Sequence, residues 1–121
     1  MTTLWTRAGI ALMLALLTAC AAQPSPRELQ AAKESASLAP FKTKYHAFVT
    51  AVTPNGNRLD VAIDANAYLD VDDDAVAAFK KAAAADWRRA WMAANPGKHA
   101  VLTVRVIDFM GRAWVTERVK A

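Results

Sequence analysis

One long stretch of the sequence repeats its apolar side chains every three or four residues, and this spacing most constrains the fold. It covers about residues 72–94 and matches one face of an α-helix. Its apolar members are Val76, Phe79, Ala83, Trp87, Ala90, Trp91 and Ala94. Aspartates at the start suit the positive end of a helix dipole, and Asn95-Pro96-Gly97 supplies a stop. Such a helix has to pack its apolar face against another layer.

The segments on either side of this helix alternate apolar and polar residues, as half-buried strands do. The predicted strands are residues 45–53, 58–64, 99–109 and 112–120. Turn sequences around Asn55-Gly56 and Met110-Gly111 join them into two hairpins. We predict an α+β fold over residues 41–121, a small four-stranded, largely antiparallel sheet in the order ββαββ with the long helix packed on one face. The helical crossover makes strands two and three parallel if they are neighbours, and the strand order stays open.

The first residues have the pattern of an export signal. A short segment carrying the single cation Arg7 precedes the apolar stretch from Ala8 to Leu17. The apolar run ends at Ala22 after 15 residues, whereas a transmembrane helix needs about 20. We therefore expect residues 1–19 to be a signal peptide that is removed. The alternative is a buried helix that ends in a chance cysteine.

The end of this run, Leu17-Thr18-Ala19-Cys20, resembles the lipobox of bacterial lipoproteins. In that motif small residues precede a cysteine whose thiol takes up a diacylglyceryl group. The resemblance covers residues 1–20 only, and the domain itself resembles no family that we recognise. It implies acyl chains such as palmitate on Cys20. In such lipoproteins an aspartate directly after the cysteine signals retention in the inner membrane, and here Ala21 stands at that position. The resemblance therefore also implies an outer-membrane protein that faces the periplasm.

Residues 20–40 are rich in alanine, serine, glutamine and proline, and we predict that they form the lipidated cysteine and a tether. Ser25 and Glu28 fit a capping box, with Pro26 at the first helical position. A short helix over residues 26–37 is compatible with this pattern. Because the segment has few large apolar residues, we expect such a helix to be frayed or exposed to solvent.

Residues that would carry catalysis or bind metal are scarce. Asp70 to Asp74 begins like a calcium-binding loop, but Ala75 and Lys81 stand where glycine and a bidentate glutamate are needed. His46 and His99 are the only histidines and have no ligand spacing around them. We expect no catalytic residue, no metal and no cofactor apart from the lipid on Cys20.

Two features suggest a partner surface. Four cations within three turns of the long helix could form a basic stripe, and Trp114 on the last strand can face the open side of the sheet. The cations are Lys80, Lys81, Arg88 and Arg89. The alternatives are a solvated helix face and ordinary packing, and packing is the expectation for Trp87 and Trp91.

The net charge of +4 is too small to predict nucleic-acid binding. Our leading hypothesis is a non-catalytic accessory or assembly lipoprotein of the cell envelope that binds another envelope protein. The alternative is a module that binds cell-wall glycan, such as peptidoglycan, or anionic lipid headgroups through the basic stripe. A small enzyme is a third, less favoured hypothesis.

Overall fold

The computed structural model describes residues 23–121, so the predicted signal peptide and Cys20 lie outside the described residues. Within this range the elements follow one another as α1 (Pro26–Lys44), β1 (Val49–Asn55), β2 (Arg58–Ile63), α2 (Ala65–Leu69), α3 (Asp73–Ala94), β3 (Val101–Ile107) and β4 (Ala113–Lys120). The α+β fold and the long helix between two hairpins are confirmed. The first strand begins at Val49, later than predicted, because residues 45–48 form the turn that follows α1.

The strands lie side by side in the order β1-β2-β3-β4. Both hairpins are antiparallel, and the two central strands are parallel, with Val61 opposite Val106. The α3 crossover explains this arrangement, because a chain that leaves one end of a sheet and returns through a helix re-enters in the same direction.

The core lies between the helices and one face of the sheet. Leu59, Val61 and Ile63 of β2 alternate with more polar neighbours, and the corresponding residues of β3 are Leu102, Val104 and Val106. Facing them are fully buried side chains of α3, among which Phe79 and Trp87 are the largest. The predicted core role of Trp87 and Trp91 is confirmed, since they are 0% and 4% exposed.

The N-terminal helix is longer and more deeply packed than we predicted. It starts at the predicted capping box, where Glu28 N–H donates to Ser25 Oγ at 3.2 Å and Ser25 N–H donates to Glu28 Oε2 at 3.2 Å. It then runs past residue 37 and buries Leu38 and Phe41. The Phe41 and Phe79 rings stack with centroids 5.7 Å apart. The second half of α1 therefore belongs to the domain, because Glu34, Leu38 and Phe41 form a buried stripe of helical spacing.

A short helix that the sequence patterns did not predict, α2, follows β2 directly. The Asp64 carboxylate caps it by accepting the N–H groups of Asn66 at 3.0 Å and Ala67 at 3.3 Å. Its Tyr68 is 7% exposed and meets Phe48 edge to face, so this turn of helix closes one end of the core.

The packing of α1 predicts a clear difference between two leucines of the same helix. Leu38→Ala should lower the free energy of unfolding by about 2–5 kcal/mol, because it leaves a cavity in the core. Leu29→Ala should change it by less than about 0.5 kcal/mol, because Leu29 is half exposed. Urea unfolding of both variants provides the measurement. Equal effects would contradict the assignment of α1 to the domain.

Candidate functional site

The topology gives the molecule two distinct ends. Because β2 and β3 are parallel, their first residues share one end of the sheet and their last residues share the other. Helix α1 begins at the first of these, where Arg27 Nη2 donates to Asn55 Oδ1 at 3.3 Å. The C-terminal half of α3 also lies there, with Trp87 Nε1 donating to the Asn57 carbonyl at 3.2 Å. We call this the tether end, since α1 begins there, and we call the opposite end of the sheet the distal end.

Large apolar side chains are exposed at the distal end. Phe109 and Met110, in the turn between β3 and β4, are 91% and 70% exposed, and Leu69 of α2 is 66% exposed. The indole of Trp114 lies beside them at 39% exposure. We call Leu69, Phe109, Met110 and Trp114 the distal patch. Large exposed apolar side chains grouped at one end of a domain are typical of interaction sites.

The Asp108 carboxylate holds the turn that displays this patch. It accepts the N–H groups of Met110 at 2.9 Å and Arg112 at 3.0 Å, and its other oxygen accepts Trp114 Nε1 at 3.1 Å. The Trp114 hydrogen bond, helped by the two backbone N–H groups and the Arg112 charge, lowers the pKa of Asp108. Phe109 and Met110 are therefore exposed on a turn whose backbone is tied to a carboxylate.

Trp114 does not stand free on the open face of the sheet, which was one position that the sequence allowed. The pairing of β3 with β4 shifts register between Val106 and Ile107, so simple alternation fails at this point. The Trp114 ring packs edge to face on Tyr68, with centroids 6.0 Å apart. The Trp114 side chain is thus fixed by Tyr68 on one side and Asp108 on the other.

A shallow pocket adjoins the distal patch. It measures about 390 Å³ and lies between Phe109, the end of β2 at Ile63, and the start of α2 at Asn66. The capping carboxylate of Asp64 also lines it. A protruding side chain of a partner would fit beside Phe109 in this pocket.

The four cations of the predicted basic stripe on α3 differ in their surroundings. Lys80 and Lys81 line a groove with Glu117 of β4. Arg88 Nε donates to the Lys120 carbonyl at 3.0 Å, and Arg89 pairs with Asp86. In the described part of the chain Arg89 thus has an acidic partner and Arg88 a neutral one, whereas Lys80 and Lys81 form no salt bridge, and none of these contacts involves Trp114.

A second group of cations, which the sequence did not reveal, gathers at the tether end. Cross-strand pairing brings Arg58, Thr103 and Arg118 into one row on the open face, and Lys120 lies opposite Val101 on the same face. Arg27 and Lys98 approach the same end from α1 and from the loop before β3. We call Arg27, Arg58, Lys98, Arg118 and Lys120 the basic cluster.

Acidic side chains gather at the other end of the molecule. Asp64 and Asp108 follow β2 and β3 directly, and Asp72 caps α3 by accepting the Ala75 N–H at 2.8 Å. Asp70, Asp73 and Asp74 belong to the same connection between α2 and α3. The segment from Asp70 to Asp74, which begins like a calcium-binding loop in the sequence, therefore leads into α3. The basic cluster thus lies at the tether end, near Glu28 and Glu34, and these aspartates lie at the distal end, where Arg112 pairs with Asp108.

A buried acid lies close to the tether end. Glu34 is 2% exposed, and its Oε1 accepts Gln30 Nε2 at 3.0 Å. Burial raises the pKa of Glu34, and the amides of Gln30 and Asn95 act in the opposite direction. The carboxyl lines a pocket of about 230 Å³ between α1 and the β1–β2 turn, next to Arg27 and Asn55.

The remaining sequence candidates have local roles. His46 Nδ1 lies 2.9 Å from the Thr43 carbonyl oxygen at the end of α1, and His99 is exposed in the loop before β3. Between residues 23 and 121 no group of three or more histidine, cysteine or acidic side chains is placed to hold a metal ion. None of the helices in this range is long and apolar enough to cross a membrane. Comparisons with known protein families, with curated proteins and with solved structures found no match.

The burial of Glu34 predicts a pH dependence of stability. Because its folded-state pKa is raised, its favourable contribution is present below the ordinary glutamate pKa and is lost as pH rises through the folded value. Glu34→Gln keeps the shape of the side chain without its charge. Its free energy of unfolding should therefore rise relative to that of the native chain when the pH is raised from 4 to 7. Urea unfolding at both pH values measures this. The exposed Glu28→Gln is the matched control, and an unchanged pH profile in Glu34→Gln would refute the prediction.

Proposed function

We propose that this chain is a lipid-anchored, non-catalytic accessory protein of the bacterial envelope whose domain binds another envelope protein through the distal patch. The exposure of Phe109 and Met110 on one tied turn is the observation that carries the proposal. Burying large apolar side chains against a partner is the main favourable term in protein association. A turn already held by Asp108 loses little conformational freedom when it binds, so more of that gain appears as affinity.

The surroundings of the distal patch indicate what kind of partner fits. Asp64 lines the pocket beside Phe109, Asp70 directly follows Leu69, and Asp108 directly precedes Phe109. Interfaces arrange opposite charges around an apolar centre, which speeds encounter and rejects wrong partners. We therefore expect a partner that offers an apolar pocket with lysine or arginine at its rim.

The proposed anchor fits this use of the distal end. Five residues separate Cys20 from Pro26, and an extended chain of that length reaches at most about 20 Å. The tether would enter at the end where Arg27 meets Asn55. The six residues of β2 span about 20 Å, so the distal patch would point away from the anchoring bilayer.

Site-specific crosslinking in cells tests this proposal. A photoreactive residue at Met110 should give a discrete adduct with an envelope protein, identified by mass spectrometry, because Met110 lies in the proposed interface. The same residue at Ser37, exposed on α1, is the matched control. Phe109→Ser should abolish the Met110 adduct, since it removes the most exposed apolar ring of the patch. Adducts of equal yield at both positions, or none at Met110, would contradict the proposal.

The anchor is tested in the same cells by Cys20→Ser. This variant should keep its signal peptide, lose the mass of the acyl chains and leave the outer-membrane fraction. Unchanged processing, mass and fractionation would remove the lipoprotein half of the proposal without touching the crosslinking result.

A further inference from the structure

We infer that the basic cluster is a docking surface for anionic lipid headgroups and holds the domain upright on its own membrane, with the distal patch turned outward. The orientation rests on the proposed lipid anchor. The binding itself is a property of the folded domain and can be measured without the anchor.

The cations of the basic cluster come from four separate parts of the fold. Arg27 stands in the first turn of α1, and Arg58 in the first position of β2. Lys98 precedes β3, while Arg118 and Lys120 end β4. The parallel pairing of β2 with β3 and the antiparallel pairing of β3 with β4 bring Arg58, Arg118 and Lys120 together. Arg27 reaches the same end through its bond to Asn55, and Lys98 lies just before β3 begins there.

Internal partners leave most of this charge available. Arg27 is bonded to a neutral amide, and in the described part of the chain Lys98, Arg118 and Lys120 form no salt bridge. Arg58 approaches Asp60 at 3.2 Å but shares this carboxylate with Arg105, which lies 3.3 Å away. Two arginines on one aspartate still leave a surplus of one positive charge on the open face.

The shape and position of the cluster favour a lipid surface over other polyanions. Single-stranded nucleic acid binds by stacking its bases on aromatic rings beside the cations. Here the exposed rings of Phe109 and Trp114 are at the opposite end of the sheet. A bilayer needs only separated cations on a surface that can approach it, and α1, the first described element after the proposed anchor, begins at the same end of the sheet.

Each cation near an anionic surface strengthens binding by about five-fold. The tether would multiply the effect, because it keeps the domain at a high local concentration beside the headgroups. Modest binding by the free domain is therefore sufficient for orientation.

Flotation of the lipid-free mature chain tests the inference. The chain starts at residue 20 with Cys20→Ser, and it retains the whole core because every buried residue of the described range lies between Glu34 and Asp108. Vesicles contain phosphatidylcholine alone or with one quarter phosphatidylglycerol. We expect binding to the anionic vesicles only, and its loss at high salt.

Two triple variants with the same change in net charge separate the cluster from bulk charge. Arg58→Gln, Arg118→Gln and Lys120→Gln together should weaken binding about 100-fold, from about five-fold per cation. Lys33→Gln, Lys42→Gln and Lys44→Gln, all exposed on α1, should weaken it less than about five-fold. Far-ultraviolet circular dichroism checks that both variants stay folded.

Equal weakening by the two variants, no binding to anionic vesicles, or tighter binding to a mixed-sequence oligonucleotide would each overturn the inference. Because the assay uses unlipidated chain, a negative result leaves the proposed anchor and partner standing. Conversely, unchanged processing of Cys20→Ser in cells would refute the anchor without altering the vesicle result.

Discussion

Trp87 and Phe79 of α3 are fully buried in a core whose other wall is the inner face of β2 and β3, and this one-sided burial sets the layout of the molecule. Helix α1 joins the same layer through the stack of Phe41 on Phe79. With both long helices on one side, the other face of the sheet carries the polar members of each strand, among them Asp60 and Arg105. Packing both helices on one face of the sheet thus leaves the charged side chains of the strands on the other face.

The parallel pair at the centre of the sheet turns this layered domain into one with two unlike ends. At the ends of β2 and β3 the chain makes the capped turns of Asp64 and Asp108, and the second of these displays Phe109. At their beginnings it gathers arginine and lysine from distant segments. In the proposed function these ends have separate tasks: the basic end faces the bilayer that holds the lipid, and the apolar end meets a protein partner.

The periodicities in the sequence were sufficient for the fold class, because a helical stripe with Trp87 between two alternating segments allows few arrangements. They were insufficient for α1, where a glutamate occupies one position of the buried stripe and Pro40 falls inside the helix. The position of Trp114 stayed open because a register shift breaks the alternation at this point. The basic cluster could not be predicted, since its members are spread from Arg27 to Lys120 and only the strand order brings them together. The stripe of Lys80, Lys81, Arg88 and Arg89 was visible in the sequence, but the contacts of Arg88 with Lys120 and of Arg89 with Asp86 were not.

The central claim is the orientation of the domain on its membrane, and spin-label accessibility tests it most directly. The chain has one cysteine, Cys20, which the proposed lipid occupies, so single labels can be placed at Asn57→Cys in the tether end and at Met110→Cys in the distal patch. In the lipidated protein on anionic vesicles, we predict that a water-soluble relaxation agent reaches the label at position 110 freely and the label at position 57 poorly. Equal access to both labels, or the reverse order, would contradict the account.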